Sequence, residues 1–489
     1  MFVTVSQLLI GTADLVAAFL LMYGLWRMAS PVTAPSGILV AGVGMAAAIA
    51  ASFLYVFTVE PAAKPHLVLN GGLALAALLI GAGAAWWSGR RVAITAMPQA
   101  VALFNGMGGG AAGAIAAVEL LGNRAHGAAA LIVTLLGALI GAVSLSGSII
   151  AWAKLDGVLK HPLRLPGLQV FNVAVLLAAL ALGGYIVAMA GSGATVPPGA
   201  QGLIAIFFGI ALLYGVLMTL PIGGADMPVV ISVYNAFTGL AVGLEGFVLQ
   251  NPALMIAGML VGAAGLLLTL LMAQAMNRSV VKILFTRFGP VAKRRQGALK
   301  GSLKPVQASD AGIFMRYAKS VIIVPGYGLA VSQGQGKLYD FVRQLLAAGV
   351  QVRFAIHPVA GRMPGQMDVL LAEAGVPYDL IVQLADVNEE FRTTDIALVI
   401  GANDVVNPDA RSDKGSPIYG MPILNADQAK KCYVIKRGEG KGYAGIVNPL
   451  FYADNTFMVY GDAAAVCVAM SEAVRGLGSS AAAASTGPQ

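Results

Sequence analysis

The hydrophobic run Val321-Ile-Ile-Val-Pro-Gly-Tyr-Gly328 ends in two glycines one residue apart, followed by Leu329, Ala330 and Val331. Glycine at a strand-to-helix turn lets backbone approach a ligand, and the first N–H groups of the next helix attract anions, so the chemistry on offer is the cradling of a dinucleotide pyrophosphate. An ordinary tight turn would use the same residues. Lys436-Arg437 closes a later apolar run, where an arginine fork suits phosphate and a solvated basic pair is the plain alternative. Two more loops sit at matching places: His357 to Gly365, containing Arg362, and Gly401 to Pro408, containing Asp404. Gly438, Gly440, Gly442 and Gly445 around Tyr443 suit a loop that folds over a ligand. The second apolar run ends in His357-Pro358 in place of the acid that commonly holds a ribose 2'-hydroxyl, which leaves room for an additional phosphate.

Some chemistries are excluded. Cys432 and Cys467 lack any Cys-x-x-Cys or Cys/His spacing, so neither a metal site nor a disulfide framework organises the chain. The sequence shows no Ser-His-Asp arrangement and no paired catalytic carboxylates. Hydride transfer, where a bound cofactor carries the chemistry and the protein supplies position, is compatible with that.

The elements that must hold these residues alternate. Strands are expected over 320–324, 350–356, 378–383, 395–400, 431–435 and 456–460, with helices between the first four and a last helix from about 462. Such alternation predicts an α/β, Rossmann-like domain with a parallel six-stranded sheet over 313–475. Residues 278–312 read as a cytoplasmic linker and 476–489 as a flexible tail.

The preceding half is of another kind. The chain is 58% hydrophobic and 11% charged with mean hydropathy +0.78, and only 14 of its 54 charged residues fall in positions 1–277. Nine apolar runs, at 4–25, 36–58, 67–88, 97–121, 127–151, 168–190, 200–220, 226–248 and 252–276, are long enough to span a bilayer and predict an α-helical integral membrane bundle. The first lacks a basic region before it and reads as a retained span. A cytoplasmic C-terminal domain places Arg27, Arg90, Arg91, Lys154, Lys160 and Arg164 inside and only Lys64 and Arg124 outside, with the N-terminus outside. Glycines such as Gly106, Gly108, Gly109, Gly110 and Gly113 predict close helix packing.

Polar groups at mid-depth are few. Asn105 and Asn235 lie near the midplane, where they could hold a chain of water or bond a neighbouring helix. Asp226 and Arg278 flank the last two spans at the cytoplasmic edge, either paired or standing as a helix-end acid and an orientation arginine. Glu119, Glu245 and Asp14 read as rim charges.

Taken together, these residues resemble the beta subunit of proton-translocating NAD(P) transhydrogenase along essentially the whole chain. Pro325 to Gln335, His357 to Gly365, Ile400 to Pro408, Ser416 to Leu424, Gly442 to Pro449 and, in the membrane, Ile222 to Ser232 followed by Asn235 carry the likeness. The resemblance implies NADP(H) lying across the turn, reversed relative to the usual Rossmann placement, so the ribose argument above reaches its phosphate by another route. It implies cofactor contacts from Pro325, Gly326, Tyr327, Gly328, Ala330, Val331, Gly361, Met363, Pro364, Gly401 and Asn403, and from Arg362 at the pyrophosphate region. Asp404 would couple nucleotide state to protonation, Lys436 and Arg437 would hold the 2'-phosphate, and Gly442, Tyr443 and Ala444 would form the lid. Asn105, Asn235, Asp226 and Arg278 would serve the proton pathway and its coupling.

The implied partners are an alpha subunit, in one or two chains, that carries NAD(H) and a membrane histidine, and the lipid bilayer. A dimer of protomers in a bacterial inner membrane is implied as well, with no nucleic acid. Some relatives have a histidine where Asn105 stands, and alanine where Ser332 and Gly334 stand. The expected activity is hydride transfer between NADH and NADP+ coupled to proton translocation, absent without the alpha subunit. The competing readings are a secondary transporter or channel with an NADP(H)-sensing domain, and a nucleotide-binding scaffold.

Overall fold

The computed structural model describes residues 2–30, 32–58, 66–122, 127–159, 167–191, 199–285, 301–438, 440, 442 and 444–485. It falls into two compact units, one made of residues 1–224 and 230–269, the other of 225–229 and 270–489.

The long helices are α1 (Phe2–Met28), α2 (Ala34–Thr58), α3 (Leu67–Gly89), α4 (Met97–Leu121), α5 (Ala128–Leu155), α6 (Leu168–Ala190), α7 (Gln201–Thr219), α8 (Met227–Val248) and α9 (Pro252–Ala275). Among the described residues these nine are long and apolar enough to cross a membrane, as the hydropathy pattern predicts. Their ends follow local chemistry. Pro98 lies in the first turn of α4, where its missing N–H costs nothing, and Asn251 Oδ1 accepts from Leu254 N at 2.9 Å to cap α9. Lys154 Nζ donates to the carbonyls of Thr219 (2.8 Å), Leu220 (2.6 Å) and Ile222 (2.6 Å), answering acceptors that the end of α7 leaves open.

The expected close packing is present. A Cβ on Gly141 of α5 would stand 2.7 Å from Gly109 O and 2.8 Å from Gly113 N of α4, so these backbones touch because neither side carries a side chain there. Gly258 of α9 meets Gly243 of α8 in the same way. At the end of α3, Arg90 and Arg91 lie over the rings of Trp86 and Trp87 at 4.4 and 4.2 Å, a pairing of cation and aromatic suited to a membrane boundary.

In the second unit a short helix, α10 (Val280–Phe285), precedes α11 (Ala308–Arg316). Then come β1 (Ser320–Pro325), α12 (Tyr327–Val331), α13 (Gln335–Ala347), β2 (Gln351–Ile356), α14 (Gln366–Glu373), β3 (Ile381–Gln383) and α15 (Leu384–Val387). The chain continues through β4 (Ile396–Ile400), α16 (Asp409–Ser412), β5 (Lys431–Lys436), β6 (Thr456–Tyr460) and α17 (Ala463–Ser485). All six strands are parallel, in the order β3-β2-β1-β4-β5-β6. Each strand expected from the sequence is there. Ile322, Val324, Ala397, Val399, Val434 and Met458 build the core on one face, and Tyr433 stacks on Phe457 at 5.4 Å.

Three boundaries differ from the sequence reading. The stretch 278–312 is structured at both ends: it holds α10, and Lys304 O accepts from Met458 N at 2.8 Å while Val306 N donates to Met458 O at 2.9 Å. That pairing covers the open edge of β6, a reason hydropathy could not supply. The last helix runs past 475 into the stretch read as tail. The helix after the glycine turn is broken into α12 and α13, with Gln333 at φ +52° between them.

Candidate functional site

In this strand order the crossover direction changes between β1 and β4, and the crevice at the carboxyl ends of those strands is where such sheets take ligands. Its floor is two loops laid against each other. Gly326 N donates to Ile400 O at 2.9 Å and Gly328 N to Gly401 O at 3.0 Å. A Cβ on Gly326 would stand 2.6 Å from Ala402 Cα, and one on Gly328 2.7 Å from Gly401 Cα. The two glycines thus serve loop-to-loop contact; Gly326 itself is extended (φ −134°, ψ −177°), so conformational freedom is not their reason. Gly401 has φ +69°, which favours glycine on both counts.

Around this floor, Arg362 lies over the Tyr327 ring at 4.5 Å, bringing the His357–Gly365 loop to the glycine turn. The loop is held by Gln366, whose Oε1 accepts from Arg362 N at 2.6 Å, and by His357. His357 Nδ1 accepts from Val359 N at 3.2 Å, so Nε2 carries the proton and donates to Pro422 O at 2.7 Å. Burial pushes this imidazole down to about 4, with the Pro422 bond opposing, and His357 is a neutral latch between two crevice loops.

Asp404 Oδ2 accepts from Ala444 N at 2.9 Å, and a Cβ on Gly442 would stand 2.7 Å from the Asp404 carboxyl carbon. The segment on which the lid was expected therefore rests on Asp404; Tyr443 itself lies outside the described residues. Lys436 donates to Gly440 O and sits 4.4 Å over the Phe451 ring, while Arg437 is exposed. Lys436 is on the wall of a cavity of about 210 Å³ that Asn403, Asn448, Phe451 and Tyr460, among others, also line. Pro325 ends β1, Ala330 is buried and Val331 exposed on α12, and Met363 and Pro364 are half-buried in the Arg362 loop.

Two site residues escaped the sequence reading. Asn448 Nδ2 donates to Asn403 O at 3.0 Å, and its Oδ1 accepts from Leu450 N at 2.9 Å. Asn407 Nδ2 reaches Val447 O at 3.4 Å, and its Oδ1 accepts from Asp409 N at 3.0 Å. Both are essentially fully buried and tie the β4 loop to the segment around Val447 and Asn448. The signal was present: each precedes a proline, and an Asn-Pro pair marks a capped turn.

Inside the bundle, Asn105 Nδ2 donates to Ser148 Oγ at 3.1 Å, Thr238 Oγ1 donates to Asn105 O at 3.4 Å, and Thr238 meets Ser144 Oγ at 2.6 Å. A polar line thus joins α4, α5 and α8. Asn235, half-buried, stands one turn before Thr238, and the polar link between α4 and α8 runs through Thr238. In the second unit, Arg278 donates to Asp226 at 2.6 Å, so of the two readings left open the pair is the one observed. The two acids read as rim charges do lie near the ends of α4 and α8 but are not solvated there: Glu119 is 9% and Glu245 0% exposed, because both face the bundle interior.

Residues 10–473 match the family described as NAD(P) transhydrogenase beta subunit. Two relatives, both NAD(P) transhydrogenase subunit beta of Rhodospirillum rubrum and one from a named strain, are each 41% identical to this chain over 466 residues, 92% of it and 96% of the relative. The chain belongs to the NAD(P) transhydrogenase beta subunit family.

In a transhydrogenase beta subunit the donors at the crevice suit a phosphorylated dinucleotide. Lys436, Arg437 and Arg362 are cations at carboxyl-end loops, set around the floor that the two apposed glycine loops make. The fit rests on this donor set and on the cavity beside Lys436.

Proposed function

We propose that this chain holds NADP(H) in the β1–β4 crevice and, with an alpha partner holding NAD(H), couples hydride transfer between NADH and NADP+ to proton translocation. The observation that carries the reading is the basic end of β5: Lys436 lines a cavity at the carboxyl edge of the sheet, with exposed Arg437 next in the chain, on the side where a reversed dinucleotide would place its 2'-phosphate. The bound nicotinamide supplies the hydride chemistry. Residues of this chain bind and orient: Lys436 and Arg437 the extra phosphate, and Arg362 with Gly361, Met363 and Pro364 the pyrophosphate. The turn from Pro325 through Gly326, Tyr327 and Gly328 to Ala330 and Val331, with Gly401 and Asn403, forms the bed. Gly442, Tyr443 and Ala444 close over it and exclude water.

Asp404 is the reporter of that closure, because its carboxylate accepts the lid amide of Ala444. In the bundle, residues 1–277, Asn105 and Asn235 hold water for the proton path, and the Asp226–Arg278 pair couples it to the nucleotide domain. The histidine that titrates in the membrane comes from the alpha partner. The site belongs to a dimer of protomers in a bacterial inner membrane, N-terminus outside and nucleotide domain in the cytoplasm. A gradient of two pH units supplies about 2.7 kcal/mol per proton, enough to hold NADPH/NADP+ well above NADH/NAD+.

Sealed membranes containing both subunits test this. NADPH should reduce an NAD+ analogue with accompanying proton movement, and this chain without its partner should bind NADPH in preference to NADH yet transfer no hydride. Equal affinity for the two nucleotides would refute the reading.

A further inference from the structure

Glu245 lies one turn from the end of α8, is 0% exposed, and neither of its carboxyl oxygens has a hydrogen-bond partner among the described residues. Glu119, near the matching end of α4, is also buried and lies within electrostatic reach of it. Space for the Glu245 carboxyl comes from α5, where a Cβ on Gly137 would stand 3.2 Å from its carboxyl carbon. The surrounding helix faces are apolar and closed: Ala116 and Leu120 on α4 and Ala241 on α8 are at most 1% exposed.

An ionised carboxyl enclosed in this way is costly without a counter-charge or a proton. Helices α4, α8 and α9 carry no Lys, Arg or His, and Lys154 of α5 is engaged at the other end with the carbonyls after α7. Arg124 and His126, after α4, lie outside the described residues, and among the described ones the remaining way to complete the site is a proton. Acids facing the interior of a membrane bundle, not its lipid surface, are also where ion pathways run. A polar route leads away from the pair: Thr238 stands two turns before Glu245 on the same face of α8, about 10 Å along the axis, and opens the Ser144–Asn105–Ser148 line.

We propose that Glu245, with Glu119 near it, forms a proton-binding site inside the bundle, its carboxyl holding a proton that exchanges with water along the Thr238 line. This rests on the proton-translocating reading above. In the step, the carboxyl O–H bond breaks as a water of the column takes the proton, and a carboxylate remains until water on the side where α4 and α8 end returns one. No electron moves.

The test uses sealed vesicles holding this chain with its alpha partner, in wild-type form and with Glu245→Gln, Glu245→Asp or Glu119→Gln. Glu245→Gln should lower NADPH-driven proton movement about a hundredfold, the size of effect expected of a positioned proton carrier. Glu245→Asp should restore part of it, and calorimetric NADPH binding should be unchanged in all three. Infrared difference spectra on adding NADPH, in H2O and D2O, should show a protonated carboxyl band in the wild type that Glu245→Gln removes and Glu119→Gln shifts. Wild-type pumping by Glu245→Gln vesicles, or no such band in the wild type, would overturn the proposal. Should Glu245→Gln fail to assemble, the wild-type band and the Glu119→Gln shift decide it. Wild-type vesicles that move no protons at all would instead refute the functional reading itself.

Discussion

In the β1–β4 crevice the Asp404 carboxylate accepts an amide from Ala444 and His357 is bonded through both ring nitrogens, whereas in the bundle both oxygens of the buried Glu245 carboxyl stand without a partner among the described residues. The contrast separates two duties. A recognition site gains from loops bonded in advance, because their ordering is then not charged to binding. A proton carrier needs an open valence, because a carboxyl already bonded through every lone pair has nowhere to take the proton. Asn105 shows both habits: its amide nitrogen bonds Ser148 while Oδ1 is unpartnered.

The largest effect that would break this comparison is expected at His357. Its folded value, about 4 against an ordinary 6.5, means that the unfolded chain binds more protons between those values. Stability is therefore full above pH 6.5 and falls as pH drops toward 4, by up to about 3 kcal/mol. Melting midpoints of the full chain across that range should show the slope, and His357→Gln should flatten it. An unchanged slope in His357→Gln would remove the latch.

Next in size, replacing Lys436 and Arg437 together with Ala should weaken NADPH binding about a hundredfold while leaving NADH binding nearly unchanged, since charge-assisted contacts to one phosphate are lost. Calorimetry with both nucleotides checks it; equal losses would mean the pair supports the loop and not the phosphate. Arg278→Ala should cost about 2 kcal/mol by leaving buried Asp226 uncompensated, less than a fully buried pair because Arg278 is partly exposed. Asp226→Asn with Arg278→Ala should recover part of that loss in thermal unfolding in detergent.

The smallest effect sharpens the crevice side. Gly401→Ala meets both a positive φ and the Gly328 backbone, and should cost about 1 to 2 kcal/mol of stability with weaker NADPH binding. Gly438→Ala, in open space within the same set of loops, should do neither.

Much of this molecule is legible from residue order alone. Span positions follow from the number of apolar residues needed to cross hydrocarbon, and the six strands from short apolar runs broken by turn residues, so both are local properties. The glycine turn, the Lys436-Arg437 pair and the mid-span Asn105 are likewise visible as composition at particular places. Tertiary structure decided what depends on facing direction and on partners distant in sequence. Glu119 and Glu245, near span ends, read as rim charges; only the rotation of α4 and α8 turns them inward. Asn448 reaches Asn403 across 45 residues, and Gly326 is needed for the approach of Ala402 more than for its own backbone angles. Chain position sets depth along an axis, but the angle around it and the neighbour across it are set by packing, and there the sequence alone is silent.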